Sequence, residues 1–396
     1  MTNFRKLIPT FIVGGFFNLT IRTITPFVTP YLSSLGFTNT TISFMNSAAT
    51  LAIIFITPIM GTISDRVGRK MIIFFGLLFE ILAVYLFAHN GYSLIYATLA
   101  VMIISVMSMA IEINILSRVE DISSDGRRGT VTGVYESIAS IGIILGPILG
   151  SVIIARSSID NLFKFVTISF LFIIFLIFIL KETSSHLNLK NFRLKHISRD
   201  FWKRDNLKGL GILGFFVSFA YPAQTVFLPL LLLKDFHLPL KYIGFFTAAV
   251  TAFCLLQFVH GWLCDKVGSN ILMIIGTLIY AFSLIMVSVN HSLPLLVALL
   301  LLWSLGESLW STTSLCHLAG IGEKNNRQGQ MTSSYFAIIK MGSFLSFLIS
   351  GVLVYFLGIR FLFFFYGVML LFGIITASIY ILFEDKNYKT ALFKTK

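Results

Sequence analysis

Charge is scarce in this chain. Asp, Glu, Lys and Arg make up 12% of its 396 residues, and only 17 of them are acidic. A water-soluble domain carries about twice that share, so the surface of an ordinary globular protein is excluded. Cysteine is reduced to Cys254, Cys264 and Cys316, without CxxC or Cys/His spacing, which excludes a disulfide framework and a structural zinc. The seven histidines are scattered, and no GxxxxGK[ST] phosphate loop occurs. Nucleophile, base and metal ligands do not gather at one depth, so the sequence points to no membrane enzyme, no cofactor and no metal. Arg5 and Lys6 precede an apolar run with no small-residue cleavage site, and that run reads as a retained first helix.

Apolar residues fill the space that charge leaves. Hydrophobic residues reach 56%, 41 of them Phe, with a mean hydropathy of +0.88; such a chain lives in lipid. Its net charge of +13 reflects topology, not nucleic-acid binding. Gly, Pro and charge divide the sequence into twelve runs of about 20 residues, the length of a membrane-spanning helix. These form an N-terminal half over 1–180, a basic amphipathic linker over 181–208 and a C-terminal half over 209–396. Placing both termini in the cytoplasm leaves only Arg156, Lys164, Lys234, Lys241 and Arg360 in outer loops, which sets the orientation in the cytoplasmic (inner) membrane. The linker carries Lys190, Arg193, Lys195, Arg199, Lys203, Arg204 and Lys208 around Leu194, Ile197 and Phe201. It reads as a basic face on anionic membrane lipids, or as a docking site for a regulatory partner.

The two halves repeat one another. Gly61-Thr-Ile-Ser-Asp65-Arg66-Val-Gly68-Arg69-Lys70 and Gly261-Trp-Leu-Cys-Asp265-Lys266-Val-Gly268 lie 200 positions apart. The same offset aligns Gly76 with Gly276, Arg127 with Arg327, Tyr135 with Tyr335 and Gly142 with Gly342. In a membrane chain, paired halves point to a transporter with its substrate at their interface. In the repeated phrase, glycines allow close backbone approach, Asp65 can meet the positive end of a neighbouring helix, and Arg66 and Arg69 favour the cytoplasmic side. Those parts make a charged latch. The phrase resembles the loop signature of the major facilitator superfamily, whose aspartate closes the cytoplasmic side of the outward-facing state. Ser269 and Asn270 stand where the second copy would have basic residues.

Gly142, Gly146 and Gly150 recur every four residues in the fifth helix, a flat seam for close packing, and Pro147 permits a bend. With Gly133 ahead of it, the spacing is similar to the antiporter motif of that superfamily's drug-exporter branch and departs from it at Ser151. Arg128-Gly129 matches the family's loop between the fourth and fifth helices. The resemblance spans essentially the whole chain and implies an all-α fold of twelve transmembrane helices in two pseudo-symmetric six-helix halves. It also implies that helices one, four, seven and ten line the central cavity.

Those four helices carry polar stripes. Asn18 and Arg22 lie on the first, Ser108 and Glu112 on the fourth, Tyr221 and Gln224 on the seventh, and Glu307 and Ser311 on the tenth. An ionisable residue inside a span is costly, so each should face protein or a water-filled cavity. Arg22 offers positive charge to an anionic or zwitterionic substrate. Glu307 and Lys340 lie at similar depth and could form a buried ion pair that senses the proton or holds the resting state. Glu112 and Glu136 could raise one another's proton affinity and carry a proton, or belong to the latch with Arg66, Arg118 or Arg128. Glu80, on the peripheral third helix, is left without a role. The family's drug/proton exporters commonly carry an acid in helix one and an arginine inside helix four, whereas here helix one carries Arg22 and the nearest helix-four arginine is Arg118 at the cytoplasmic end.

The sequence is therefore read as a monomeric secondary transporter that exports a small organic molecule in exchange for protons by alternating access. The alternative is a proton-coupled uptake permease for a nutrient or an iron chelate. A channel would need no duplicated latch.

Overall fold

A computed structural model describes residues 4–123, 128–182, 205–323 and 328–393. Nearly all of the described residues are helical, and none lies in a strand. The first half contributes α1 (Phe4–Ser34), α2 (Asn39–Val67), α3 (Arg69–Asn90), α4 (Leu94–Ile122), α5 (Arg128–Arg156) and α6 (Ile159–Ile177). In the second half, α7 comprises Asp205–Phe219, a π turn over Ala223–Phe227 and Leu228–Lys234. It is followed by α8, which runs Leu240–Thr251, Ala252–Leu256 and Gln257–Val267. Then come α9 (Ser269–Val289) and α10 (Leu293–Glu323). The last continuous stretch, Gln328–Phe393, breaks at Gly358 (φ 78°), which separates α11 (328–357) from α12 (359–393). Counted with that break, twelve helices are present among the described residues; eleven stretches are long and apolar enough to cross a membrane, the last of them, Tyr335–Tyr380, holding parts of both α11 and α12. Most of the linker, 183–204, lies outside the described residues.

Helix ends are fixed locally where the sequence supplies a cap. Thr38 Oγ1 accepts from the Thr41 amide at 3.2 Å to start α2, and Ser158 Oγ accepts from the Asn161 amide at 3.3 Å to start α6. Gly68 and Gly268 occupy equivalent joints, α2 to α3 and α8 to α9, with φ of 108° and 95°. Only glycine takes that conformation without strain, which is why both copies of the repeated phrase contain it.

Two helices of the second half are irregular, for different reasons. In α7, Pro222 lacks an amide hydrogen and frees the Ser218 carbonyl. Ser343 Oγ of α11 donates to that carbonyl at 3.0 Å, and Ser346 donates to Phe219 O. In α8 the helix tightens to a 3₁₀ turn at Ala252–Leu256 without proline or glycine. There the Phe253 amide donates to Ser304 Oγ at 2.9 Å and the Phe253 carbonyl accepts from Ser308 Oγ at 3.0 Å, both serines being on α10.

The chain forms two compact units. One draws its described residues from Met1–Leu189 and Thr225–Ala249, the other from Lys190–Gln224 and Val250–Lys396. Beyond the linker, the chain passes between units within the π turn of α7, after Gln224, and in α8 after Ala249, just before the 3₁₀ turn. In the first unit Phe17 packs with Phe170 and Tyr31 with Phe163. In the second, Trp303 stacks on Tyr280 and meets Phe363 edge-on. Large apolar side chains such as Phe55, Phe258, Tyr355 and Phe356 point outward, the inverse of a soluble surface and the expected face toward lipid.

The repeat recurs in the packing inside each unit. A Cβ at Gly14 would lie 2.5 Å from Tyr135 Cε2, and one at Gly214 would lie 2.8 Å from Tyr335 Cε2. Each tyrosine is therefore fitted against a glycine on the first helix of its own half.

Candidate functional site

In the first unit, α1 is held against α5 by the three glycines at four-residue spacing. A Cβ at Gly142 would lie 2.7 Å from the Leu19 amide nitrogen, and one at Gly146 would lie 2.7 Å from the Cβ of Arg22; Gly150 faces the Thr23 carbonyl. Any side chain there would force the helices apart. Pro147 presents its carbonyl to Gly244 of α8. Ser151, at the position where the antiporter spacing would have glycine, accepts from the Gly244 amide at 3.0 Å.

Arg22, fixed at its Cβ by this seam, reaches α4. Its Nη2 donates to Glu112 Oε1 at 3.1 Å, and the two side chains remain 34% and 30% exposed. That residual exposure matters, because each charge is neutralised yet still open to an exchange of partner. Asn18 is buried one turn earlier, with its amide donating to the Gly14 carbonyl at 3.0 Å. Ser108, one turn before Glu112, donates to Glu80 Oε1 of α3 at 2.7 Å. Glu136 of α5 is exposed and within electrostatic reach of Glu112.

The sequence left two roles open for Glu112, and the structure gives it Arg22 as partner. Arg118 does not serve, because six residues carry it about 240° around α4 from Glu112. It is buried instead against the end of α6, where Nη2 donates to the Lys181 carbonyl at 2.7 Å and Nη1 lies 3.9 Å from Glu182.

Glu182 is a residue that sequence reasoning missed. Its two carboxylate oxygens accept from the Arg69 and Lys70 amides, each at 3.1 Å, and so cap α3, whose Gly68 has no side chain to do so. The only signal in the sequence was an acid just past an apolar run, which does not say which helix it will meet. Around it, Arg69 lies 3.5 Å from Asp121 and donates to Ser64 Oγ at 3.1 Å, while Ser64 bonds Asn114 of α4. Of the proposed latch, the surroundings of Gly61 and the side chains of Asp65, Arg66, Arg128 and Asp265 lie outside the described part.

In the second unit, Glu307 accepts from the Trp303 indole at 3.1 Å, and Lys340 Nζ stands 5.7 Å above the Tyr221 ring. Gln224 and Ser311 are half-buried. Ser308 Oγ also meets His260 Nδ1 at 3.2 Å, on the side of the 3₁₀ turn in α8. Among the described residues, no group of three His, Cys, Asp or Glu side chains is placed to hold a metal ion.

The family model of the Major Facilitator Superfamily matches the chain over residues 10–253 and again over 210–395. The chain belongs to the major facilitator superfamily. It is 26% identical over 343 residues to an uncharacterized MFS-type transporter of Methanocaldococcus jannaschii, covering 85% of this chain and 88% of that protein. Similarity to the quinolone resistance protein NorA of Staphylococcus aureus is 28% over 132 residues, about a third of each chain. The fold matches a bacterial homolog of the human lysosomal transporter Spinster with a TM-score of 0.78 at 13% identity, covering 96% of this chain and 97% of that one. As a member of this superfamily the chain is a multi-pass membrane transporter, not an enzyme, and moves small molecules by alternating access.

Proposed function

We propose that this transporter is a proton-coupled exporter of zwitterionic small organic molecules from the cytoplasm, with both termini cytoplasmic; an anionic substrate would belong to the uptake alternative. The observation that carries the reading is the partly exposed Arg22–Glu112 pair. A zwitterion can insert across it, placing its carboxylate on Arg22 and its ammonium on Glu112. A proton on Glu112 removes the attraction for the ammonium, so proton and substrate exclude one another, which is the requirement for exchange. A simple anion behaves in the opposite way, since protonating Glu112 frees Arg22 to bind it and couples the two in the same direction. The sign of coupling therefore reports the substrate's charge.

Export is supported by the glycine seam of α5 with Pro147 and by the partial similarity to a quinolone resistance protein. Cytoplasmic termini are supported by the concentration of Lys and Arg in alternate loops. In the second unit, Tyr221, Gln224, Glu307, Ser311 and Lys340 are that half's own candidates for contact with substrate. Asp65 and Asp265 remain assigned to the latch by their place in the repeated phrase.

The test is transport of norfloxacin, a zwitterionic quinolone, in everted membrane vesicles with an imposed pH gradient. An acidic lumen should drive norfloxacin inward and collapse of the gradient should release it. Accumulation in intact cells that rises with the proton gradient would instead establish the uptake alternative.

A further inference from the structure

Glu80 sits at the middle of α3, eleven residues after Arg69 and so about 16 Å along the helix. Its side chain is fully buried. The enclosure follows from Gly76, one turn earlier, where a Cβ would lie 2.7 Å from Ile111 Cγ1 of α4; the missing side chain lets α3 and α4 close over the carboxyl. Oε1 accepts from Ser108, and Oε2 has no hydrogen-bond partner. An acid inside a span is expensive and is retained where it has work to do.

Of the titratable groups on the helices packed around it, the one within electrostatic reach is Glu112 of α4, itself held by Arg22 of α1. Arg118 of α4 is engaged at the far end with Glu182. On α6, Asp160 and Lys164 belong to the first two turns, and α2 carries Asp65 and Arg66 only in its last turn. Among the described residues Glu80 therefore has no cation to neutralise it, and a like charge lies one helical turn beyond its serine partner.

We propose that Glu80 is a reversible proton-binding site, connected through Ser108 to the Glu112–Arg22 pair. Ser108, bonded to Glu80, and Glu112 are four residues apart and share a face of α4, so the hydroxyl and both carboxyls lie on one side of that helix. The transfer balances in one step. The O–H bond of the Glu80 carboxylic acid breaks, Ser108 Oγ takes that proton as its own hydroxyl proton passes on, directly or through a water, and Glu112 receives it. The serine is unchanged, Glu80 becomes a carboxylate, and Glu112 becomes neutral and releases Arg22. A second acid behind the exposed pair stores the proton where neither substrate nor bulk water competes for it. This deepens the proton-coupled reading above and rests on it.

The test uses the full chain in lipid, followed by infrared difference spectroscopy over a pH series. The wild type should show a carboxylic-acid carbonyl band of a buried group that titrates, and Glu80→Gln should abolish it. Ser108→Ala, which leaves the carboxyl in place, should shift the band and its midpoint; this variant carries the test should the Gln protein fold poorly. In vesicles, Glu80→Gln should retain norfloxacin exchange without a gradient but lose at least tenfold in accumulation driven by one. A band that survives Glu80→Gln, a band unmoved by Ser108→Ala, or wild-type gradient-driven accumulation in Glu80→Gln would each overturn the proposal. The infrared arm needs no substrate, so failure of wild-type protein to move norfloxacin would count against the exporter reading while leaving the proton site decided by the band.

Discussion

Gly146 and Arg22 face one another so closely that a Cβ on the glycine would lie 2.7 Å from the Cβ of the arginine. The packing seam of α5 and the ion pair of α1 and α4 are therefore one mechanical unit, since displacing α1 at this level moves the guanidinium away from Glu112.

Gly146→Leu should accordingly impair both packing and site. Overfilling a close contact costs about 1–3 kcal/mol, read as a lowered melting temperature in detergent, and norfloxacin transport should fall with it. Gly133, at the start of the same spacing, has open space where its Cβ would be. Gly133→Leu should leave both measurements near wild type. Equal effects at the two positions would show that the seam does not position Arg22.

At the pair itself, the two charges should separate binding from coupling. Arg22→Ala should weaken norfloxacin affinity by roughly tenfold, about 1.4 kcal/mol, measured by fluorescence quenching of the drug. Glu112→Gln should keep much of that affinity, because the amide resembles the protonated acid, but should flatten the pH dependence of transport. As each side chain is about a third exposed, the pair should add no more than about 1 kcal/mol to stability in a double-mutant cycle. A flat pH profile in wild type, or an unaltered one in Glu112→Gln, would remove this carboxylate from the coupling.

The cap on α3 predicts a stability effect remote from substrate. Glu182→Gln weakens the acceptors for two amides and leaves buried Arg118 without its carboxylate, at a cost of about 1–2 kcal/mol. Hydrogen exchange of the Arg69 and Lys70 amides should quicken while norfloxacin affinity stays the same. Unchanged exchange would mean that water caps the helix equally well.

The 3₁₀ turn of α8 depends on the two serines of α10. Ser304→Ala and Ser308→Ala each remove the side-chain partner of a half-buried backbone group at Phe253, at about 1 kcal/mol apiece, and because both act on one residue their effects should not add. A thermal-denaturation cycle checks this. Strict additivity would show that α8 re-forms a regular helix when released.

Much of the architecture was legible in the chain because lipid leaves so few alternatives. Apolar runs long enough to span had to be helices, since no other segment satisfies its own backbone in hydrocarbon, and the 200-residue register that aligns Tyr135 with Tyr335 marked the halves as repeats; that each tyrosine meets a glycine, Gly14 or Gly214, came from the structure. The irregularity of α7 follows from the missing amide of Pro222. The turn in α8 was invisible, because Ala252, Phe253 and Cys254 are unremarkable in a helix and its cause lies in serines 51 and 55 residues away.

The site divides along the same line. Glycine spacing alone placed Gly142, Gly146 and Gly150 on one face, since periodicity is a property of a single helix. It could not say that Arg22 stands opposite. The sequence set Arg22, Glu80 and Glu112 inside the membrane as costly charges, but a residue's partner depends on the rotation of two helices about their axes, and packing sets that rotation. Only the tertiary structure turned Arg22 to Glu112 across 90 residues, Ser108 to Glu80 across 28, and the Glu182 carboxylate to the Arg69 amide across 113. Composition fixed the solvent and the element, while close packing at positions without side chains decided which charges meet.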